Sequence, residues 1–145
     1  MYKEPTMTDL QAARQLLHSG GFTCVLCLGN RISTSNRRGV APLLELLDSG
    51  EDYKGFCAAD KVVGKATAML YRLLGVKAVW GAVMSESAVA TLKEAGIEAH
   101  WERIVPYIIN RAGAGSCPME AATADIDDPA AALEAIRNTL KKLQA

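Results

Sequence analysis

The chain has 145 residues, half of them hydrophobic, and its 16 basic side chains balance 16 acidic ones. That length suits one domain, 1–145, with a sizeable buried core, while zero formal charge excludes the basic excess of a nucleic-acid binder. No uncharged apolar run reaches the roughly 18–20 residues of a membrane span, which argues against a membrane partner.

Thr8-Asp9-Leu10-Gln11 has the form of a capping box, and Leu10, Ala13 and Leu17 then recur on one helical face until Gly20-Gly21. Phe22 to Leu28 is a nearly continuous apolar run, as in a strand covered on both faces. Gly29-Asn30 signals a hairpin turn into a returning strand, Arg31 to Ser35. The segment Ser35 to Gly39 is a polar loop, and Pro42 suits the first turn of a short helix through Leu47.

From there strands and helices alternate. The pattern predicts a strand over Gly55 to Ala59, a helix over Lys61 to Leu74 ended by Gly75, and a strand over Val76 to Val83. Ser85 caps a helix of Glu86 to Ala95, and Ile97 to Trp101 is the next strand. Short links between these elements imply right-handed crossovers and parallel pairing. Ile104 to Arg111 is read as a short helix despite Pro106, and Ala121 to Asp128 as a linker. Asp128-Pro129 opens a last helix with Leu133, Ile136, Leu140 and Leu143 on one face.

The N-terminus carries Lys3, Glu4 and Asp9 and has no apolar signal core, so the expected location is cytoplasmic, with the four cysteines reduced. Cys24 and Cys27 have the spacing of a metal knuckle, but three residues apart on a strand they face opposite ways. They read as small core hydrophobes, and Trp80 and Trp101 as core or interface aromatics.

Two tracts carry the site. Ala58-Ala59-Asp60-Lys61-Val62-Val63-Gly64-Lys65 runs from strand into helix, with Asp60 as the expected N-cap. Lys61 and Lys65 then fall in the first helical turns, where N–H groups and the dipole favour an anion; the alternative is a solvated face. The second tract is Asn110-Arg111-Ala112-Gly113-Ala114-Gly115-Ser116-Cys117-Pro118-Met119-Glu120. Gly113 and Gly115 allow backbone N–H groups close to an anion, Arg111 can fork onto it, and Asn110 can orient polar groups. Cys117 is a candidate nucleophile with Glu120 or Asp60 handling protons; the alternative is a loop that packs Cys117 and Met119 inward. Ser85 opens its helix at another strand end, where ligands of open α/β sheets bind, although an ordinary cap is the simpler role.

These two motifs, with a hairpin followed by parallel strands, resemble an uncharacterised bacterial family of unknown function placed in the cytidine-deaminase-like fold. The resemblance covers nearly the whole chain. It implies a three-layer α/β sandwich, a mixed sheet with an N-terminal hairpin followed by parallel strands, and helices on both faces. Active deaminases carry His or Cys, Ala and Glu at one helix start and Pro-Cys-x-x-Cys at the next. The corresponding positions, near Ala59-Asp60-Lys61 and Val83 to Ser87, have neither His nor Cys, so no metal and no cofactor is expected.

Three functions follow, in order of preference. The first is a zinc-free binding domain for an anionic or nucleotide-like small molecule, held by Lys61, Lys65, Ser85, Asn110, Arg111 and the glycines of the loop. The second is a non-zinc enzyme using Cys117. The third is a regulatory or assembly module, a homo-oligomer.

Overall fold

The computed structural model describes residues 7–109 and 117–144. Helix α1 (Asp9–Gly20) leads into the hairpin β1 (Cys24–Leu28) and β2 (Arg31–Ser35), then α2 (Ala41–Asp48). There follow β3 (Cys57–Val63), α3 (Lys65–Leu74), β4 (Ala78–Ser85), α4 (Glu86–Glu94) and β5 (Glu98–Val105). Helices α5 (Pro118–Thr123) and α6 (Pro129–Gln144) close the described chain.

The five strands form one mixed sheet in the order β2-β1-β3-β4-β5. β1 runs antiparallel to both β2 and β3, whereas β3, β4 and β5 are parallel. Alternation along β1 sets the layers. Cys24 and Leu26 pack into the larger core with α2, α3, α4 and α6, while Val25 and Cys27 pack under α1 with Ala13 and Leu17. The two thiols therefore face opposite sides of the sheet, as their spacing requires. Trp80 lies beneath α1, with the Arg14 guanidinium 4.5 Å from its ring centre and His18 edge-on at 5.6 Å.

The helix ends follow from local chemistry. Thr8 and Gln11 exchange hydrogen bonds of 2.8 and 3.1 Å, the reciprocal pair of a capping box. Gly75 adopts φ 74° at the C-cap of α3, a conformation that glycine reaches without strain. Asp128 accepts from the Ala131 N–H at 2.9 Å and so starts α6.

Three boundaries differ from the sequence reading by more than two residues. β3 runs on to Val63, so α3 starts at Lys65, Gly64 is its N-cap, and Asp60 and Lys61 are strand residues. The cause is pairing on both sides: Asp60 meets Cys24 of β1 and Gly81 of β4, and Val62-Val63 continue against Val83-Met84. β-branched side chains on a sheet outweigh a polar residue's preference for a cap. Lys61 consequently does not lie on the helix that carries Lys65. β5 likewise extends past Trp101 to Val105, and the residues from Pro106 to Ile109 are not helical; the pyrrolidine at 106 ends the strand. Finally, α5 begins with Pro118 in its first turn and reaches Thr123, inside the stretch read as linker.

Candidate functional site

Strand β3 delivers Asp60 to a nearly closed place, where its residue is 9% exposed. Tyr71 of α3, itself fully buried, donates its hydroxyl to Asp60 Oδ2 at 2.7 Å. The Cys24 thiol lies 3.4 Å from the same hydroxyl, and the Val62 N–H donates to Asp60 Oδ1 at 3.4 Å. Burial pushes the Asp60 carboxyl up from 3.8 to about 7, against the Tyr71 and Val62 hydrogen bonds, which favour the ionised form. Burial also raises the Cys24 thiol and the Tyr71 phenol, and the Asp60 charge adds to both. At neutral pH the carboxyl is therefore shared between its protonated and ionised forms, beside a thiol and a phenol that keep their protons.

Above Asp60, at the carboxyl end of β3, opens a cleft of about 690 Å³. Thr23, Cys24 and Asp60 line it beside Val40, Val62, Ile108, Met119 and Leu143. Its cations are Arg37, Arg38 and Lys61. The loop after β2 is fixed by the Thr23 hydroxyl, which donates to the Arg37 carbonyl at 2.5 Å, and by the 2.7 Å ion pair of Arg37 with Glu45. Cys117 lines the same cleft, partly exposed, and its N–H donates to the Ile108 carbonyl at 3.1 Å.

The start of α3 holds an anion, and that anion belongs to the chain. The Glu120 oxygens accept from the N–H groups of Lys65 and Ala66, each at 3.0 Å. A Cβ on Gly64 would lie 2.5–2.7 Å from that carboxylate, so only a bare residue lets it approach. Lys65 turns its ammonium to the Ala124 carbonyl at 2.8 Å. Helix end and Lys65 are thus engaged with α5 and the turn after it, contrary to the expected ligand anchor. Ser85 is fully buried, accepting from the Ala88 N–H at 3.1 Å, with Ser87 Oγ 3.2 Å away. It caps α4 as expected, but it does not line the cleft, and the two helix ends do not share one.

Of the residues singled out in the sequence, the fold brings together Asp60, Lys61, Cys117 and Glu120. Lys65 and Ser85 stand apart, and Asn110, Arg111, Gly113 and Gly115 lie outside the described residues. Sequence reasoning misses Tyr71, Thr23, Arg37 and Arg38. The adjacent pair Arg37-Arg38 in a polar loop is the available signal for the last two.

Active deaminases hold zinc, and the residues of this chain do not suit it. Where that chemistry needs thiolate or imidazole ligands, β3 offers Asp60, already bound to Tyr71, and α4 begins with a capping hydroxyl. Among the described residues no three His, Cys, Asp or Glu side chains are grouped to hold a metal ion, and no helix is long and apolar enough to cross a membrane.

No protein of curated function matches the chain. A solved structure of a DUF1893 family protein (TM1506) from Thermotoga maritima is similar at 24% identity, with a TM-score of 0.81 over 98% of this chain and 95% of that one. Residues 12–140 match the family described as "Domain of unknown function (DUF1893)", and with most of its length inside that match the chain belongs to this family.

Proposed function

We propose that the cleft over Asp60 binds a small anionic molecule with a planar polar body, of the nucleotide-like kind. One observation carries this: a buried carboxyl forms the floor of an apolar cleft that also carries three cationic side chains. The polar body hydrogen-bonds Asp60, which accepts when ionised and donates when protonated, while apolar walls cover its faces. Arg38 and Lys61 take the phosphate or carboxylate, beside the Arg37 guanidinium that Glu45 holds, in place of Lys65 and the start of α3. The strand order β2-β1-β3-β4-β5, a hairpin followed by parallel strands, supports the cytidine-deaminase-like architecture for this scaffold. Three buried cysteines and a partly exposed fourth suit a reducing compartment such as the cytoplasm, where thiols are kept reduced.

The test is an NMR titration of the protein with nucleoside monophosphates, inorganic phosphate serving as the control. Saturable shifts at Val62 and Thr23 with a nucleotide and not with phosphate support the reading, provided Asp60→Asn and Lys61→Ala each weaken them. Absence of saturable shifts across the panel removes it.

A second reading, a non-zinc enzyme with Cys117 as nucleophile and Asp60 taking its proton, is favoured by their shared cleft. It requires Cys117 to react with iodoacetamide faster than free cysteine at neutral pH. Equal or slower reaction eliminates it.

A further inference from the structure

β5 ends the sheet, and among the described residues nothing pairs with its outer edge. Its eight residues are exposed or half-buried throughout, including Trp101 at 36% and Ile104 at 43%. An edge of that length with unpaired backbone groups is a template for another strand. The opposite edge, β2, is shorter at five residues, and Arg31 at its start bonds to the Asp52 carbonyl at 3.2 Å.

From β5 we infer that a second copy of this chain adds its own β5 antiparallel to it, with a two-fold axis at Trp101. Geometry and charge select that register. Directly opposed residues on antiparallel strands must both point their backbone groups toward the partner or both away. That orientation alternates along the strand, so a symmetric pair can be centred only on a residue. Within Glu98–Val105, four centres let five or more residues of each strand overlap: His100, Trp101, Glu102 and Arg103.

Centring on Glu102 or Arg103 opposes each to its own copy, and centring on His100 opposes Glu98 to Glu102. Like charges in direct opposition disfavour a sheet. The Trp101 centre opposes none. There Trp101 meets Trp101, His100 meets Glu102 twice by symmetry, Arg103 lies opposite Ala99, and Ile104 covers Glu98. Arg103 of each copy also stands diagonal to the other Trp101, within reach of its ring face. His100, which already contacts Glu98 of its own chain at 3.3 Å, is then flanked by a second carboxylate. The assembly is a continuous ten-stranded sheet, twice the five of one chain.

Sedimentation equilibrium of the full chain, from low micromolar to several hundred micromolar, tests this. The expected result is a concentration-dependent dimer that His100→Glu abolishes and His100→Glu/Glu102→Lys restores, since the second change returns opposite charges to facing positions. Trp101→Arg, which sets two like charges on the axis, is the independent disrupting variant. Circular dichroism of each variant confirms the fold. A wild-type monomer over the whole range overturns the inference, as does a dimer that survives both His100→Glu and Trp101→Arg.

Discussion

The carboxylate of Glu120 occupies the space that a Cβ on Gly64 would take, 2.5 Å from Oε1, while its oxygens bond the first N–H groups of α3. Gly64 has φ −100° and ψ −176°, an extended conformation open to any residue. The requirement for glycine there is spatial. Glu120→Ala leaves two N–H groups without their cap and is expected to cost about 1–2 kcal/mol. Gly64→Ala pushes the carboxylate away and costs about 1–3 kcal/mol in the natural background. In the Glu120→Ala background the same change should cost much less, because the clash has gone. Urea denaturation of the four proteins measures that coupling, and strict additivity contradicts the contact.

Asp60 makes stability depend on pH in an unusual sense for a carboxyl. Its folded value of about 7 exceeds the ordinary 3.8, so between those values the folded chain holds the extra proton. The contribution is full below the lower value and is lost as pH rises through the upper one. Asp60→Asn, which retains an acceptor for Tyr71 and cannot ionise, should gain on the wild type by about 1–3 kcal/mol between about pH 5 and about pH 8. Denaturant midpoints for both proteins across that range are the measurement. A constant difference means that Asp60 titrates normally.

Tyr71→Phe removes the hydroxyl that favours the ionised form of Asp60. The Asp60 titration, followed by carboxyl carbon NMR, should move further up. Stability should drop by about 1–2 kcal/mol, with Oδ2 left unpaired in a buried place. A midpoint that stays put shows that solvent already satisfies the carboxyl.

Lys61→Ala separates binding from folding. The side chain is exposed, and the strand contact here is its backbone N–H, which donates to the Thr23 carbonyl at 3.1 Å. Stability should stay within about 0.5 kcal/mol. Affinity for an anionic ligand of the cleft should fall about tenfold, or about 1.4 kcal/mol. An unchanged dissociation constant with an unchanged melting point removes Lys61 from the site.

Thiol reactivity should be graded by position. Cys24, Cys27 and Cys57 are buried, while Cys117 is partly exposed. Iodoacetamide under native conditions should modify Cys117 first, and the others only with unfolding. Mass mapping of the adducts with time checks the order.

Elements closed by neighbours in sequence are legible in the residues themselves. The Thr8–Gln11 box, the Gly29-Asn30 turn and the opposed faces of Cys24 and Cys27 depend on spacings of a few residues. The start of α3 is not legible in that way, because its determinants are remote. Strands on both sides of Asp60 carry β3 onward, and the capping oxygen comes from 55 positions later. The cleft at the end of β3 is where the sequence points, but its cations do not come from the following helix. Arg37 and Arg38 reach it from a loop whose position depends on the β1–β2 hairpin, a relation that no local pattern encodes.

That remote cap also bears on the order of events as the chain emerges from the ribosome. The five strands of the sheet all lie before residue 106, yet the first turn of α3 stays open until Glu120 is out. A nascent chain arrested before that point can pair its strands but lacks the Glu120 seal, as well as the Cys117 and Met119 wall of the cleft. The cap of α3 and this wall of the cleft are therefore completed only after the last strand of the sheet has emerged.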